Sequence, residues 1–215
     1  MASKTDLYDA IARTGKALAH GKRLEIVELL AQGERPVQDL ARTVELKLST
    51  ASAHLQVLRQ AGLVTARSEG TKLFYRLAGD DVAALMSVLC RVADTHQAEV
   101  EAARRAYLDH DGIRLVGRRE LLASAAAGTA LVLDVRPSQE YEAGHLPGAV
   151  SIPLEELAER MAEIPADTEV VAYCRGRYCV LSYDAVRLLR AHGRDAALLE
   201  EGVLEWRSDG LAVTR

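Results

Sequence analysis

Val170-Val171-Ala172-Tyr173-Cys174-Arg175-Gly176-Arg177-Tyr178-Cys179-Val180, continuing as Leu181-Ser182-Tyr183-Asp184-Ala185-Val186, decides the fold of the second half of the chain. Its apolar, β-branched opening reads as a buried strand, and the amphipathic run after Val180 reads as a helix. The tight loop between them begins with one cysteine and ends with another. A thiol just past a strand and facing a helix N-terminus meets unpaired backbone N–H groups and the positive end of the helix dipole. Both lower a thiol pKa from its free value of about 8.5, and Arg175 and Arg177 are expected to push the same way. Cys174 is thus placed to be a thiolate whose persulfide would find its charge cradled. The competing reading is a buried structural cysteine.

Around that stretch, strands and helices alternate. Helices are expected over Val116 to Ala126, Ser138 to Ala143, Leu154 to Met161 and Val180 to His192. Strands are expected over Ala130 to Val135, Gly148 to Ile152, Thr168 to Tyr173 and Ala196 to Leu199. This alternation argues for a mostly parallel sheet covered on both faces, an α/β domain. In such sheets the reactive centre lies beyond the carboxyl ends of the strands, where Cys174 falls.

Three further motifs make the second half specific: Val132-Leu133-Asp134-Val135-Arg136, Glu140-Tyr141-Glu142-Ala143-Gly144-His145-Leu146-Pro147-Gly148-Ala149-Val150-Ser151-Ile152-Pro153, and Glu201-Gly202-Val203-Leu204-Glu205-Trp206 with Gly210. With them, residues of about 114–215 resemble a rhodanese domain, departing at Val203, where a small residue is customary, and at Ala212, where proline is common. The resemblance implies that Cys174 is the sulfur-accepting nucleophile and that sulfane sulfur travels as a persulfide. Rhodanese-like phosphatases need a longer loop, Cys-x5-Arg, around an oxyanion; the sixth place after Cys174 is Val180, so a bidentate arginine is missing there. Sulfur fits better than phosphate or arsenate. Many rhodaneses close the loop with arginine where Cys179 stands, which weakens the case for thiosulfate:cyanide turnover. A second thiol in reach can instead attack the Cys174 persulfide and yield a disulfide, or a bridge retaining extra sulfur. Cys179 as a packing residue at a helix start is the plainer alternative.

The first half reads differently. Thr5 to Ala19 and Lys22 to Ala31 show helical spacing, and Arg35 to Ala41 opens a third helix with Pro36 in its first turn. In Lys47 to Gly62, Ala51, Leu55 and Leu58 share one side of a helix, while Ser49, Ser52, Ala53 and Gln56 share the other. The second face is small, polar and nearly free of carboxylates, which suits a major groove. Leu63 to Arg67 and Lys72 to Leu77, around Ser68-Glu69-Gly70-Thr71, read as a hairpin with a basic tip. Two short helices followed by such a wing make a mainly α winged helix-turn-helix.

Ala19-His20-Gly21-Lys22-Arg23-Leu24, Ser52-Ala53-His54-Leu55-Gln56-Val57-Leu58 and Gly62-Leu63-Val64 carry a resemblance of residues of about 7–107 to ArsR-type bacterial repressors. The resemblance implies a homodimer, joined through the first and last helices of this domain, that binds double-stranded operator DNA and releases it when an inducer acts. Ser49, Thr50, Ser52, His54 and Gln56 are expected toward bases or nearby phosphates. Lys22, Arg23, Lys47, Arg67 and Lys72 are expected on backbone phosphates. Asp80 to Leu108 reads as one long helix whose apolar stripe requires a partner. The Cys-x-Cys-type metal pair of many relatives is absent from Val44-Glu45-Leu46-Lys47, and Tyr107 stands where a second histidine would follow His96. Asp94, His96 and Glu99 read as a solvated face, so no metal site and no cofactor is expected. Cys90 reads as a packing residue near the dimer seam.

The totals bound the rest. The chain has 215 residues with 49% hydrophobic, 27% charged and 4% aromatic residues and a net charge of −4, a composition for two small globular domains. Residues 13–76 hold eleven Lys/Arg against six Asp/Glu, a local excess of +5 that suits a polyanion. No leader or membrane-spanning run is read, and three cysteines make a poor structural disulfide framework, so a reducing cytoplasm is expected. The expected organisation is residues 1–108 for DNA binding and dimerisation, a linker at 109–113, and residues 114–215 for the rhodanese-like domain. The expected function is a repressor that senses or processes reactive sulfur supplied by a sulfane-sulfur donor. A sulfurtransferase merely localised by its DNA-binding half, and an arsenic or antimony sensor using Cys174, Cys179 and Cys90, are the alternatives.

Overall fold

A computed structural model describes residues 3–108 and 112–214. It divides into two compact units, Met1–Met86 and Ser87–Arg215.

The first unit begins with α1 (Lys4–Leu18), started by a reciprocal cap in which Ser3 Oγ accepts from the Asp6 amide and Asp6 accepts from the Ser3 amide. It continues through α2 (Gly21–Gln32), β1 (Arg35–Pro36), α3 (Val37–Thr43) and α4 (Leu48–Gln60). A hairpin, β2 (Val64–Glu69) and β3 (Lys72–Leu77), follows, and then the opening of α5 (Asp80–His96). The spacing of Ala51, Leu55 and Leu58 puts all three on one face of α4, and all are fully buried, with α2 and α3 packed against that helix. Each buried leucine contributes about 1.5–3 kcal/mol, enough to fix which face of α4 remains outward. Pro36 is not in the first turn of α3, as expected, but precedes it: with Arg35 it forms a short edge strand pairing antiparallel to Phe74 and Tyr75 of β3. A residue lacking an N–H is tolerated at such an edge.

The second unit holds the end of α5, α6 (Ala98–Leu108) and an alternation of β4 (Leu115–Val116), α7 (Arg118–Ala126), β5 (Ala130–Asp134), α8 (Ser138–Ala143), β6 (Val150–Ser151) and α9 (Leu154–Leu157). After a 3-10 turn at Met161–Glu163 come β7 (Glu169–Tyr173), α10 (Val180–Ala191), β8 (Ala196–Leu199) and α11 (Val203–Ser208). The strands form a five-stranded parallel sheet in the order β4-β8-β7-β5-β6, with β7 in the middle. Alternate residues serve opposite faces. Val170, Ala172 and Cys174 join one apolar cluster with Leu133, Val186 and Leu189, while Val171 and Tyr173 join another with Val132, Ala197 and Trp206.

The long helix expected over Asp80 to Leu108 is broken at Gln97 into α5 and α6. No proline or glycine marks that break, so composition gives no sign of it. Leu108, expected to close the DNA-binding domain, is buried in the core of the second unit, and its carbonyl accepts from Arg187 at 3.3 Å. By compactness the chain divides inside α5, between Met86 and Ser87. Most of the expected linker, Asp109 to Asp111, lies outside the described residues.

The carboxyl end of the sheet is held by a charged pair with no solvent exposure: Arg136 Nη2 donates to Asp134 at 2.6 Å and to the Gly144 carbonyl at 2.9 Å. Tyr173 donates its hydroxyl to the same carboxylate and accepts from the Leu146 amide at 3.1 Å. Removing one partner of a buried pair strands the other charge, at a cost of about 3–5 kcal/mol. Asp134→Ala should therefore lower the denaturation midpoint followed by fluorescence of Trp206, the chain's single tryptophan. An unchanged midpoint would contradict this account of the core.

Candidate functional site: a paired-thiol loop and a DNA-reading helix

Cys174 leaves the carboxyl end of β7, and Cys179 is the N-cap residue of α10. Their Cα atoms are 6.1 Å apart and their sulfurs are joined in a disulfide, a separation ordinary for such a bond. The loop is fixed from below by α11: the Val203 and Leu204 amides donate to the Cys174 and Arg175 carbonyls at 3.3 and 2.9 Å. That approach requires Gly202, because a Cβ there would stand 2.5 Å from the Cys174 carbonyl oxygen and from the Arg175 carbonyl carbon. Buried Glu205 completes the support, accepting from the Gly202 amide at 2.8 Å and the Arg177 amide at 3.4 Å. This is the closing motif read in the sequence, now with a physical task for its glycine.

Both loop arginines are engaged by carboxylates. Arg175 donates through Nε and Nη2 to Glu140 at 2.6–3.0 Å, and Glu140 is itself buried. Arg177 Nη1 lies 2.9 Å from Asp94 Oδ2, with Nε 3.6 Å from Glu205. Both guanidinium groups expected beside the Cys174 sulfur are thus paired with carboxylates, and charge met at such distances projects little field onward. Cys174 and Cys179 are only 2% and 7% exposed, packed among residues such as Leu133, Val135 and Tyr183. A disulfide, which carries no charge, suits that burial.

Three participants were missed or misread in the sequence. Glu140 and Glu205 lie within the rhodanese motifs, but their partners follow only from folding. Asp94 figured only among the carboxylates near His96; it accepts from Arg177 and, at 2.7 Å, from the Tyr178 hydroxyl. Burial first, then the bond to Asp94 and nearby Cys90, pushes the Tyr178 hydroxyl far above the usual tyrosine range, so it remains a donor. A cleft of about 300 Å³ opens beside this cluster, lined by Asp94, Glu101, Arg104, Arg177, Tyr183 and Glu200 among others.

On α4, Ser49, Thr50, Ala53 and Gln56 face outward, whereas Ser52 is half-buried and donates to the Leu48 carbonyl at 2.8 Å. His54 is half-buried, its ring 4.5 Å from that of His20, and burial together with His20 and Arg23 lowers its pKa so that it is neutral at pH 7. Lys47, the N-cap residue of α4, and Lys72, at the hairpin tip, are exposed. Lys22 pairs with Glu25 at 2.8 Å. Arg23, expected on phosphate, is instead spent on α1, where it donates to the Ala17 carbonyl and, at 3.1 Å, to that of Lys16. These are orphan acceptors of a helix end, for which a guanidinium is a natural partner. Arg67 donates to Glu34 at 2.8–2.9 Å and also pairs with Glu69. It is the second expected phosphate contact that finds protein carboxylates.

A three-stranded wing behind a paired-helix reader, followed by a parallel sheet with a cysteine loop, defines a class. Residues 20–66 match the model of bacterial regulatory proteins of the arsR family, and residues 118–209 match the rhodanese-like domain. The chain is a transcriptional regulator, and it belongs to the ArsR-type helix-turn-helix regulators that carry a rhodanese domain. It is 51% identical over 210 residues to the HTH-type transcriptional regulator Rv0324 of Mycobacterium tuberculosis, a match spanning 98% of this chain and 92% of that protein. The homodimeric winged helix-turn-helix DNA-binding domain of Mb0332 from Mycobacterium bovis, solved by NMR, is 51% identical and covers 46% of this chain and 95% of its own, with a TM-score of 0.42. A protein named sulfurtransferase from Allochromatium vinosum is 36% identical over 84 residues, 39% of this chain and 77% of that one. Among the described residues no helix is long and apolar enough to cross a membrane.

Gly202→Ala should push the cysteine loop off α11 and destabilise the second unit by about 1–3 kcal/mol, the usual cost of overpacking. A Trp206 unfolding midpoint equal to that of the wild type would show that the close approach is dispensable.

Proposed function

We propose that this regulator is a repressor that binds double-stranded operator DNA as a homodimer, in the cytoplasm, and lets go when reactive sulfur reaches Cys174. The observation that carries the reading is the pairing of Cys174 with Cys179 across one short loop at the carboxyl end of β7. In the dithiol state, the Cys174 thiolate attacks the outer sulfur of an organic persulfide, forming a Cys174 persulfide and expelling the donor's thiolate. The Cys179 thiolate then attacks the inner sulfur of that persulfide; the Cys174–Cys179 bond forms and hydrosulfide leaves. The two thiols lose two electrons, and the sulfane sulfur gains them. Engagement of Arg175 and Arg177 by carboxylates favours this one-shot chemistry over repeated turnover of an anionic donor, for which a free guanidinium is the usual anchor.

Dimerisation is supported by exposed apolar rows: Leu7, Tyr8 and Ile11 on α1, and Leu85, Val88, Leu89 and Val92 on α5. For DNA, the outward groups Ser49, Thr50 and Gln56 suit base edges, and Lys47 and Lys72 suit phosphates. Ser52, His54, Lys22, Arg23 and Arg67 fit the DNA role less well because each has a neighbour within the protein. A sulfurtransferase activity is the second reading, favoured by the similarity to the Allochromatium vinosum protein of that name. Sizeable steady-state turnover with thiosulfate or 3-mercaptopyruvate would establish it.

Operator affinity should fall when the reduced protein is treated with polysulfide, with loss of two protons' mass as the disulfide closes, while Cys174→Ser stays bound. Release of Cys174→Ser by polysulfide would refute sensing at this loop. Affinity should also drop steeply with salt, and Lys47→Ala or Lys72→Ala should each flatten the slope of log K against log salt by about 1. Gel-shift titrations over a salt series read both effects, and unchanged slopes would remove these lysines from the interface.

A further inference from the structure

The residues between Cys174 and Cys179 are Arg175, Gly176, Arg177 and Tyr178. Two of them converge on one carboxylate that belongs to neither the rhodanese motifs nor the sheet. Asp94 Oδ2 receives Arg177 Nη1 at 2.9 Å, and Asp94 Oδ1 receives the Tyr178 hydroxyl at 2.7 Å. The Asp94 side chain is only 16% exposed, and these two donors occupy both of its oxygens. Asp94 lies in the last turn of α5, the helix whose earlier residues Val82, Ala83 and Met86 are buried and whose outward residues form an exposed apolar row. We propose that Asp94 is the receiver through which the bonding state of the Cys174–Cys179 loop acts on α5 and, through α5, on DNA affinity.

This rests on the sensing role proposed above and names its route. The disulfide closes the loop to a Cα separation of 6.1 Å and presents Arg177 and Tyr178 side by side to Asp94. Reduction removes that closure, and each donor then holds Asp94 only at the expense of its own freedom. Arg177 has an alternative partner in place, since Glu205 is 3.6 Å from its Nε and 3.4 Å from its amide nitrogen. Tyr178 reaches Asp94 through a single hydroxyl at 2.7 Å, so its bond is the one that distinguishes the two states most cleanly. A ligand or a covalent event shifts a conformational equilibrium only through contacts that differ between the states. The Asp94 pair supplies such a difference, on a helix rather than on a surface loop.

The test uses the full-length chain, a DNA fragment selected from random sequence by the reduced wild-type protein, and sodium tetrasulfide as the sulfur source. Wild type should lose at least about 5-fold in affinity on oxidation, the lower end of ordinary allosteric coupling. Asp94→Ala and Tyr178→Phe should still form the disulfide, as read by mass, and should bind DNA like the reduced wild type, yet lose most of the oxidation response. Coupling is reciprocal. DNA should therefore make the wild-type disulfide harder to form in a glutathione redox buffer by the same factor, and should have little effect on either variant. A merely structural Asp94 would change the Trp206 melt and leave that DNA effect in place. If wild type responds and both variants respond equally, the Asp94 route is wrong while sensing stands. If wild type forms its disulfide without any change in affinity, the sensing reading falls and the route falls with it. Should Asp94→Ala not fold, Tyr178→Phe alone decides, because it keeps the ring and removes a single hydroxyl.

Discussion

Two backbone hydrogen bonds hold the candidate site together: the amides of Val203 and Leu204 donate to the carbonyls of Cys174 and Arg175. Through them the last short helix fixes where the cysteine loop begins. Gly202 makes the approach sterically feasible, and Glu205 collects the amides left over at the junction. The buried Asp134, Arg136 and Tyr173 cluster holds the same carboxyl end of the sheet. The loop is thus anchored at its start by backbone and at its end by a helix, so its chemistry is confined to the residues between. A buried ionic cluster of this kind contributes modestly to stability and strongly to geometry.

The alternation that reveals a parallel sheet is visible in the sequence because each strand is short, apolar and bounded by turn signals. Val170 to Tyr173 is the clearest case, since both faces of that strand are covered and every residue is accordingly apolar. The reading face of α4 is legible for the complementary reason: burial selects Ala51, Leu55 and Leu58, and what remains must face out. The pairing of side chains is not legible in this way. Arg23 and Arg67 look like phosphate contacts in a list of basic residues, yet one satisfies the end of α1 and the other meets Glu34, thirty-three positions away in sequence. Glu140 and Arg175 are likewise thirty-five apart. Composition locates charge, and only the fold says which charges meet.

The same limitation explains Asp94. Its neighbours Thr95, His96 and Glu99 suggest a metal or a wetted surface, and spacing along one helix cannot report a tyrosine eighty-four positions later. The break at Gln97 is invisible for a related reason: no proline or glycine stands there, and local propensity runs smoothly through it. The class of each domain is legible in the sequence. The partners of the loop's own side chains, Glu140 and Asp94, are not.

The discontinuity at Gln97 also has a mechanical meaning. A straight α-helix is a stiff rod, and a push applied at one end arrives largely undiminished at the other; a joint absorbs it. Asp94 lies on the near side of the joint, and from there to Asp80 the rod is unbroken for about 21 Å at 1.5 Å per residue. Asp94 thus belongs to α5 itself, whereas any residue of α6 is separated from that helix by the interruption at Gln97.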